Sequence, residues 1–317
     1  MSLRYSLSSA AIALALLVGC TGPTDPVDQA VEQPESQPSP PASPPPAGPG
    51  APTTENIYIA NADGSGAVFV TPGRWPSWSP DGRRLAIQRE AFVHVVNADG
   101  SGDRRVAVGQ WPAWSPDGGM IAYTSDEGIS VMSADGSAAR TLIRHDFRDD
   151  TYNPWDMGVG KPVWSPDGTR IAFEHLGDAD IQPAQIYVIK SDGSEPRRAT
   201  QPRNTYRFAE SDPAWSPDGT QIAHWSYGYG IARVDSRRSV EPVTVFWDFP
   251  AVAYGARPAW SPDGRRIAFT RTTAGQARAI WVTSESGGNL TLLIQNAFEA
   301  AWSPDGARIA FVSTRGG

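Results

Sequence analysis

Trp78-Ser79-Pro80-Asp81-Gly82 decides the fold, because the same five residues recur unchanged from Trp114, Trp164, Trp215, Trp260 and Trp302. Successive copies stand 36, 50, 51, 45 and 42 residues apart, the spacing of one supersecondary unit repeated with loops of variable length. Pro presets φ at the first central turn position, Asp bonds its own backbone, and Gly accepts a left-handed conformation that side chains resist. Ser-Pro-Asp-Gly is therefore expected to be a hairpin tip.

After the tips come RRLAI, GMIAY, TRIAF, TQIAH, RRIAF and ARIAF, which alternate polar and apolar residues at the period of a half-buried strand. A second hairpin follows, its first strand reading VHVV from Val93, ISVM from Ile129, IYVI from Ile186, GIARV from Gly230 and IWVT from Ile280. The first three of these close on Asp-Gly turns, whereas the last two run through DSRR at Asp235 and ESGG at Glu285. Each unit thus holds four meandering strands. At the ends, IYIANADGSGAVFV from Ile57 is a second hairpin without a first, and the segment ending ARIAFVST is a first hairpin without a second. Joining them completes a sixth unit and removes the exposed edges of an open array. The expected fold is all-β: a six-bladed β-propeller with four antiparallel strands per blade, closed by pairing hairpins at 57–70 and 298–314.

The run W-S-P-D-G-x-x-I-A-F followed by I-Y-V-x-x-x-D-G-S resembles the repeat of TolB-type propellers, and the resemblance covers Ile57 to Ser313. It implies the propeller fold and, since TolB propellers bind partner proteins in the cell envelope, a binding role. Ahead of the propeller the chain differs from TolB, with no α/β domain in that position.

The first residues carry Arg4 and the apolar run LSSAAIALALLVG, too short for a permanent membrane span. Leu17-Val18-Gly19-Cys20 resembles a bacterial lipobox, which implies removal of residues 1–19 as a signal peptide and lipidation of Cys20. Cys20 is the single cysteine, so neither a disulfide nor a cysteine metal site is available within the chain. Residues 20–55 are rich in Pro, Ser, Ala and Gln and are expected to form a disordered tether that could reach on the order of 100 Å. The propeller is assigned to 56–317, and the protein to the cell envelope, membrane-anchored and facing the periplasm or cell exterior.

Five of the 34 acidic residues precede residue 56, while all but one of the 27 basic residues follow it. The propeller is therefore nearly neutral, and no basic stripe supports nucleic-acid binding.

Of the twelve tryptophans, the six of the repeat are expected to pack between blades; Trp75, Trp111 and Trp281 also read as packing residues. Long blade connections at 144–161, 201–212 and 247–256, with the loop 175–184, fall on one face, where variable loops on a rigid scaffold build binding surfaces. The candidate binding residues there are Asp146, Asp149, Asp150, Tyr152, Trp155, Asp156, Tyr206, Arg207, Phe208, Glu210, Trp247, Asp248, Phe249 and Tyr254. Aromatic, acidic and Arg side chains in this mixture suit a protein or peptide partner, and alternatively a glycan.

No nucleophile elbow, H-E-x-x-H, phosphate loop or EF-hand motif is present, so no catalytic residue and no cofactor is assigned. His94 and His224 lie inside strands and read as core. His145 and His175, with Asp178 and Asp180, are the remaining metal candidates, since a few TolB-like propellers are metal-assisted polysaccharide lyases. The function expected is a non-catalytic, lipid-anchored binding module; the alternative is a propeller that binds or cleaves carbohydrate.

Overall fold

A computed structural model describes residues 55–146, 158–176, 184–200, 210–226, 230–236, 257–272 and 277–314. These residues form six antiparallel sheets, five of four strands and one of three, with no helix among them. Blade 1 runs Arg74–Trp78, Arg84–Arg89, Phe92–Asn97 and Arg104–Val108. Blade 2 runs Gln110–Trp114, Met120–Thr124, Gly128–Ser133 and Arg140–Arg144. In blade 3 the strands are Val159–Trp164, Arg170–His175, Gln185–Lys190 and Arg197–Arg198. Blade 4 shows Glu210–Trp215, Gln221–Ser226 and Gly230–Asp235, and the stretch 237–256 that follows lies outside the described residues. Blade 5 comprises Ala259–Trp260, Arg266–Arg271, Ala279–Ser284 and Thr291–Gln295.

Blade 6 closes the ring as the incomplete ends require. Ala297–Trp302 and Arg308–Ser313 come from the end of the propeller, Asn56–Asn61 and Val68–Pro72 from its start. Asn56–Asn61 pairs with Arg308–Ser313 in unbroken register, from Asn56 opposite Ser313 to Asn61 opposite Arg308. Innermost strands of neighbouring blades touch all the way round, blade 6 against blade 1 included.

The repeat's turn chemistry is visible at each tip. In the first copy Ser79 Oγ donates to Asp81 Oδ1 at 2.5 Å, Arg83 N donates to the same oxygen, and Arg84 N donates to Ser79 Oγ. Gly82 takes φ 65°, which its missing Cβ permits. All six aspartates, Asp81, Asp117, Asp167, Asp218, Asp263 and Asp305, are held below the usual carboxylate range, first by the Ser hydroxyl. Because the folded value is depressed, this stabilisation is complete above the ordinary aspartate range and is lost as pH falls through the lowered values. The melting temperature should therefore hold steady above about pH 5 and fall progressively below about pH 4. Solvent screening limits each exposed turn, so Asp305→Asn should soften the fall without removing it. A melting temperature unchanged to about pH 3 would show that these turns add nothing to stability.

The core is distributed over six seams between blades. Ile57 and Val70 of blade 6 pack on Trp78, Leu85 and Ile87 of blade 1, and Ile129 and Val131 of blade 2 pack on Val159, Ile171 and Phe173 of blade 3. Alternating strand residues reach opposite faces, so each sheet feeds two seams.

Repeated polar ties cross the seams. Trp78 Nε1 donates to Ala301 O, Trp164 Nε1 to Ala113 O and Trp215 Nε1 to Val163 O. The Arg that opens a second strand lies over the next blade's repeat Trp: Arg84 over Trp114, Arg170 over Trp215, Arg266 over Trp302 and Arg308 over Trp78, at 4.6–4.9 Å. The Arg that opens a fourth strand reaches the next blade's outer turn. Arg104 donates to Ala134 O and Asp135 O, Arg140 to Ser191 O and Asp192 O, and Arg197 to Ser236 O.

Candidate functional site

RWPSW at Arg74–Trp78 and QWPAW at Gln110–Trp114 are innermost strands, and each carries a break in register. The break falls between Arg74 and Ser77, Gln110 and Ala113, Gly160 and Val163, Ser211 and Ala214, and Phe298 and Ala301. Such a bulge re-aims one side chain per strand. In these five strands the residue it re-aims stands three positions before the repeat Trp; Arg257 holds that position in blade 5, and all six take positive φ: Trp75 59°, Trp111 52°, Lys161 51°, Asp212 55°, Arg257 42° and Glu299 57°. These six surround the mouth of a central cavity of about 430 Å³, at the face of the blade connections. Deeper along the same strands it is lined by Pro76, Pro112, Pro162, Pro213 and Pro258, with Ala300 taking the proline position in blade 6.

Four of the six ring residues alternate in charge. Lys161 Nζ stands 2.7 Å from Asp212 Oδ1 and 2.9 Å from Glu174 Oε1, the latter buried on the second strand of blade 3. Arg257 Nε is 3.6 Å from Asp212 Oδ1, and its Nη1 is 3.4 Å from Glu299 Oε2. Glu299 also accepts from Arg74 Nη2 and from Trp75 N, both at 2.8 Å. The aromatic part of the ring is Trp75 edge-to-face with Trp111, centroids 5.8 Å apart. Arg257 lies against the Trp75 ring, and Lys161 Nζ is 5.7 Å from its centroid.

Burial pushes the Glu174 carboxyl up against the pull of Lys161. For Asp212, burial acts to raise the carboxyl but Lys161 and Arg257 outweigh it, holding it low. Burial acts to lower Lys161, and Asp212 and Glu174 overcome it. The Arg257 guanidinium is lowered, chiefly by burial. Backbone N–H groups of the ring are bound from inside: Asp212 N by Glu174, Trp111 N by Gln88 Oε1 and Glu299 N by Thr270 Oγ1.

Little of the loop surface inferred from sequence falls within the described residues. Asp149, Asp150, Tyr152, Trp155, Asp156, Tyr206, Arg207, Phe208, Trp247, Asp248, Phe249 and Tyr254 lie outside them, as do Asp178, Asp180 and Cys20. Asp146 is exposed. Glu210 turns inward, not to the face: it is buried, its Oε2 2.6 Å from His224 Nε2 and its Oε1 accepting from Ser226 Oγ. His224 is core, as its strand position implies, but His94 is half-buried and meets Asp103 Oδ1 at 2.8 Å.

The two metal candidates stand apart in role. His145 uses both ring nitrogens within the protein, Nε2 against Ser125 O and Nδ1 accepting from Val159 N. His175 is buried, its ring 5.3 Å from that of Tyr187. Among the described residues no three His, Cys, Asp or Glu side chains gather in metal-binding range.

The ring is faint in the sequence. Trp75 and Trp111 read there as packing residues, and Lys161, Arg257 and Glu299 belong to no motif of their own. The signal was the column three residues before each repeat Trp, which reads Trp, Trp, Lys, Asp, Arg, Glu and, in five copies, is followed by Pro.

Residues 212–317 match the family described as TolB beta propeller domain. A 100-residue stretch is 36% identical to the uncharacterized peptidase YuxL of Bacillus subtilis, covering 29% of this chain and 14% of that protein. Thus the chain spans only a small part of that relative's length. A putative TolB from Agrobacterium tumefaciens superposes with a TM-score of 0.66 at 22% identity, over 82% of this chain and 98% of that one. TolB from Acinetobacter baumannii gives 0.57 at 17% identity, over 82% and 64%. An oligogalacturonate lyase in complex with manganese gives 0.57 at 17% identity, over 83% and 80%. At these identities the likeness is one of fold, which proteins of different activity share. In its described residues, the chain is a TolB-like six-bladed β-propeller.

Proposed function

We propose that this propeller is a non-catalytic binding module that receives a peptide or protein segment at the mouth of its central cavity. The carrying observation is the ring itself: two tryptophans and four charged residues, all three positions before a repeat Trp and all at positive φ, around one opening. Aromatic and Arg side chains at the centre of a concave surface are what binding hot spots are made of. In sequence, the long connections at 144–161, 201–212 and 247–256 run up to the ring residues Lys161, Asp212 and Arg257. Cys20, as a lipidated residue, would hold the module in the cell envelope, in line with the TolB-like fold. The carbohydrate-cleaving alternative shares its fold with the manganese-bound lyase, but no donor set for a cation assembles among the described residues.

The test is selection of binders from a displayed random-peptide library, followed by calorimetry on the best of them. Trp111→Ala and Trp75→Ala should each weaken that peptide about thirtyfold, near 2 kcal/mol. Melting should stay cooperative in both variants. Binding that survives both substitutions would move the site off the cavity mouth.

A further inference from the structure

The charged groups at the mouth are arranged in depth. The side chains of Glu174, Asp212 and Glu299 are 1%, 4% and 4% exposed, whereas those of Arg257, Lys161 and Arg74 are 13%, 22% and 36% exposed. Acids form the back of the ring and cations its front. A ligand at the opening therefore meets donors, and the carboxylates behind serve to hold them.

Two of those donors have capacity left. Arg257 Nη2 is buried and has no hydrogen-bond partner. Lys161 has three N–H groups and meets two acceptors, Glu174 and Asp212. Both cations lie against one surface, the Trp75 ring. A buried guanidinium nitrogen without an acceptor costs free energy that an incoming acceptor would recover. A carboxylate fits best, because it takes two donors at once through charge-assisted bonds.

Deeper in the cavity, proline rings and Ala300 make much of the lining apolar. An apolar side chain buried there would gain by leaving water. Resting on the peptide-binding role above, we propose that the ring recognises a free peptide C-terminus. Its carboxylate sits between Arg257 Nη2 and Lys161 Nζ, and its last side chain, apolar, enters the proline-lined cavity.

The experiment titrates the full-length protein with N-acetyl-Ala-Ala-Phe as free acid and as C-terminal amide, following tryptophan fluorescence and heat. The acid should bind saturably and at least tenfold more tightly than the amide. Arg257→Gln should erase that difference, bringing the acid's affinity down to that of the amide. Neither wild-type arm depends on a variant folding. Equal affinity for acid and amide, or saturation by neither, overturns the proposal. In that event a peptide from the displayed library that still binds in a Trp111-dependent way would leave the broader role intact. Galacturonate is the third arm, and binding as tight as that of the peptide acid would overturn the peptide assignment in favour of an acidic sugar.

Discussion

Lys161→Met should destabilise the folded chain by about 3 kcal/mol, the lower end of the cost of stripping one partner from a buried ion pair. The methionine leaves Glu174 and Asp212 without the cation between them, with only Arg257 Nε at 3.6 Å beside Asp212. Burial already pushes Glu174 up, so the loss should be larger at pH 8 than at pH 5, where Glu174 can take up a proton instead. Adding Glu174→Gln should recover a large part of the loss, because the amide relieves the repulsion and can still accept from Asp212 N. Urea unfolding of the two variants at both pH values measures this. A loss below about 1 kcal/mol would mean that solvent screens the network as it does an exposed pair.

Phe311→Ala should cost about 3–5 kcal/mol, the range for emptying a buried aromatic position. Phe311 is 1% exposed and stacks on Tyr58, centroids 5.8 Å apart and planes at 19°. Its strand is the one that pairs with the first strand of the propeller, so the cavity opens inside the closing blade, next to the seam with blade 5. The control is Phe69→Ala. Phe69 is an outer-strand residue, 50% exposed and touching Tyr58 from its other side, and it should cost within about 0.5 kcal/mol of nothing. Similar losses for the two would show that the closing pair of strands does not cooperate with the rest of the ring.

These predictions draw on sequence signals of different strength. Turn tips and second strands were plain because their causes are local. Ser, Pro, Asp and Gly act on backbone atoms within five residues, as the Ser79, Asp81 and Arg84 bonds show, and alternation is a property of consecutive residues. Closure of the ring was also legible, since each end of the array carried half of one blade. Glu210 reads from sequence as a loop residue of the face, because a loop boundary does not say which way its last side chain points; a strand begins there and the carboxylate meets His224.

The sequence by itself thus determined the repeat, the strand count, the turn chemistry and the way the ends meet, all of which follow from short-range backbone preference and period. Only the tertiary structure decided that Trp75, Trp111, Lys161, Asp212, Arg257 and Glu299 form one ring. They stand far apart in the chain, and a shared position three residues before each repeat Trp does not say where its side chain points. The closed ring gives those positions one axis in common, and their positive φ, with a bulge in five of the six innermost strands, aims them at it.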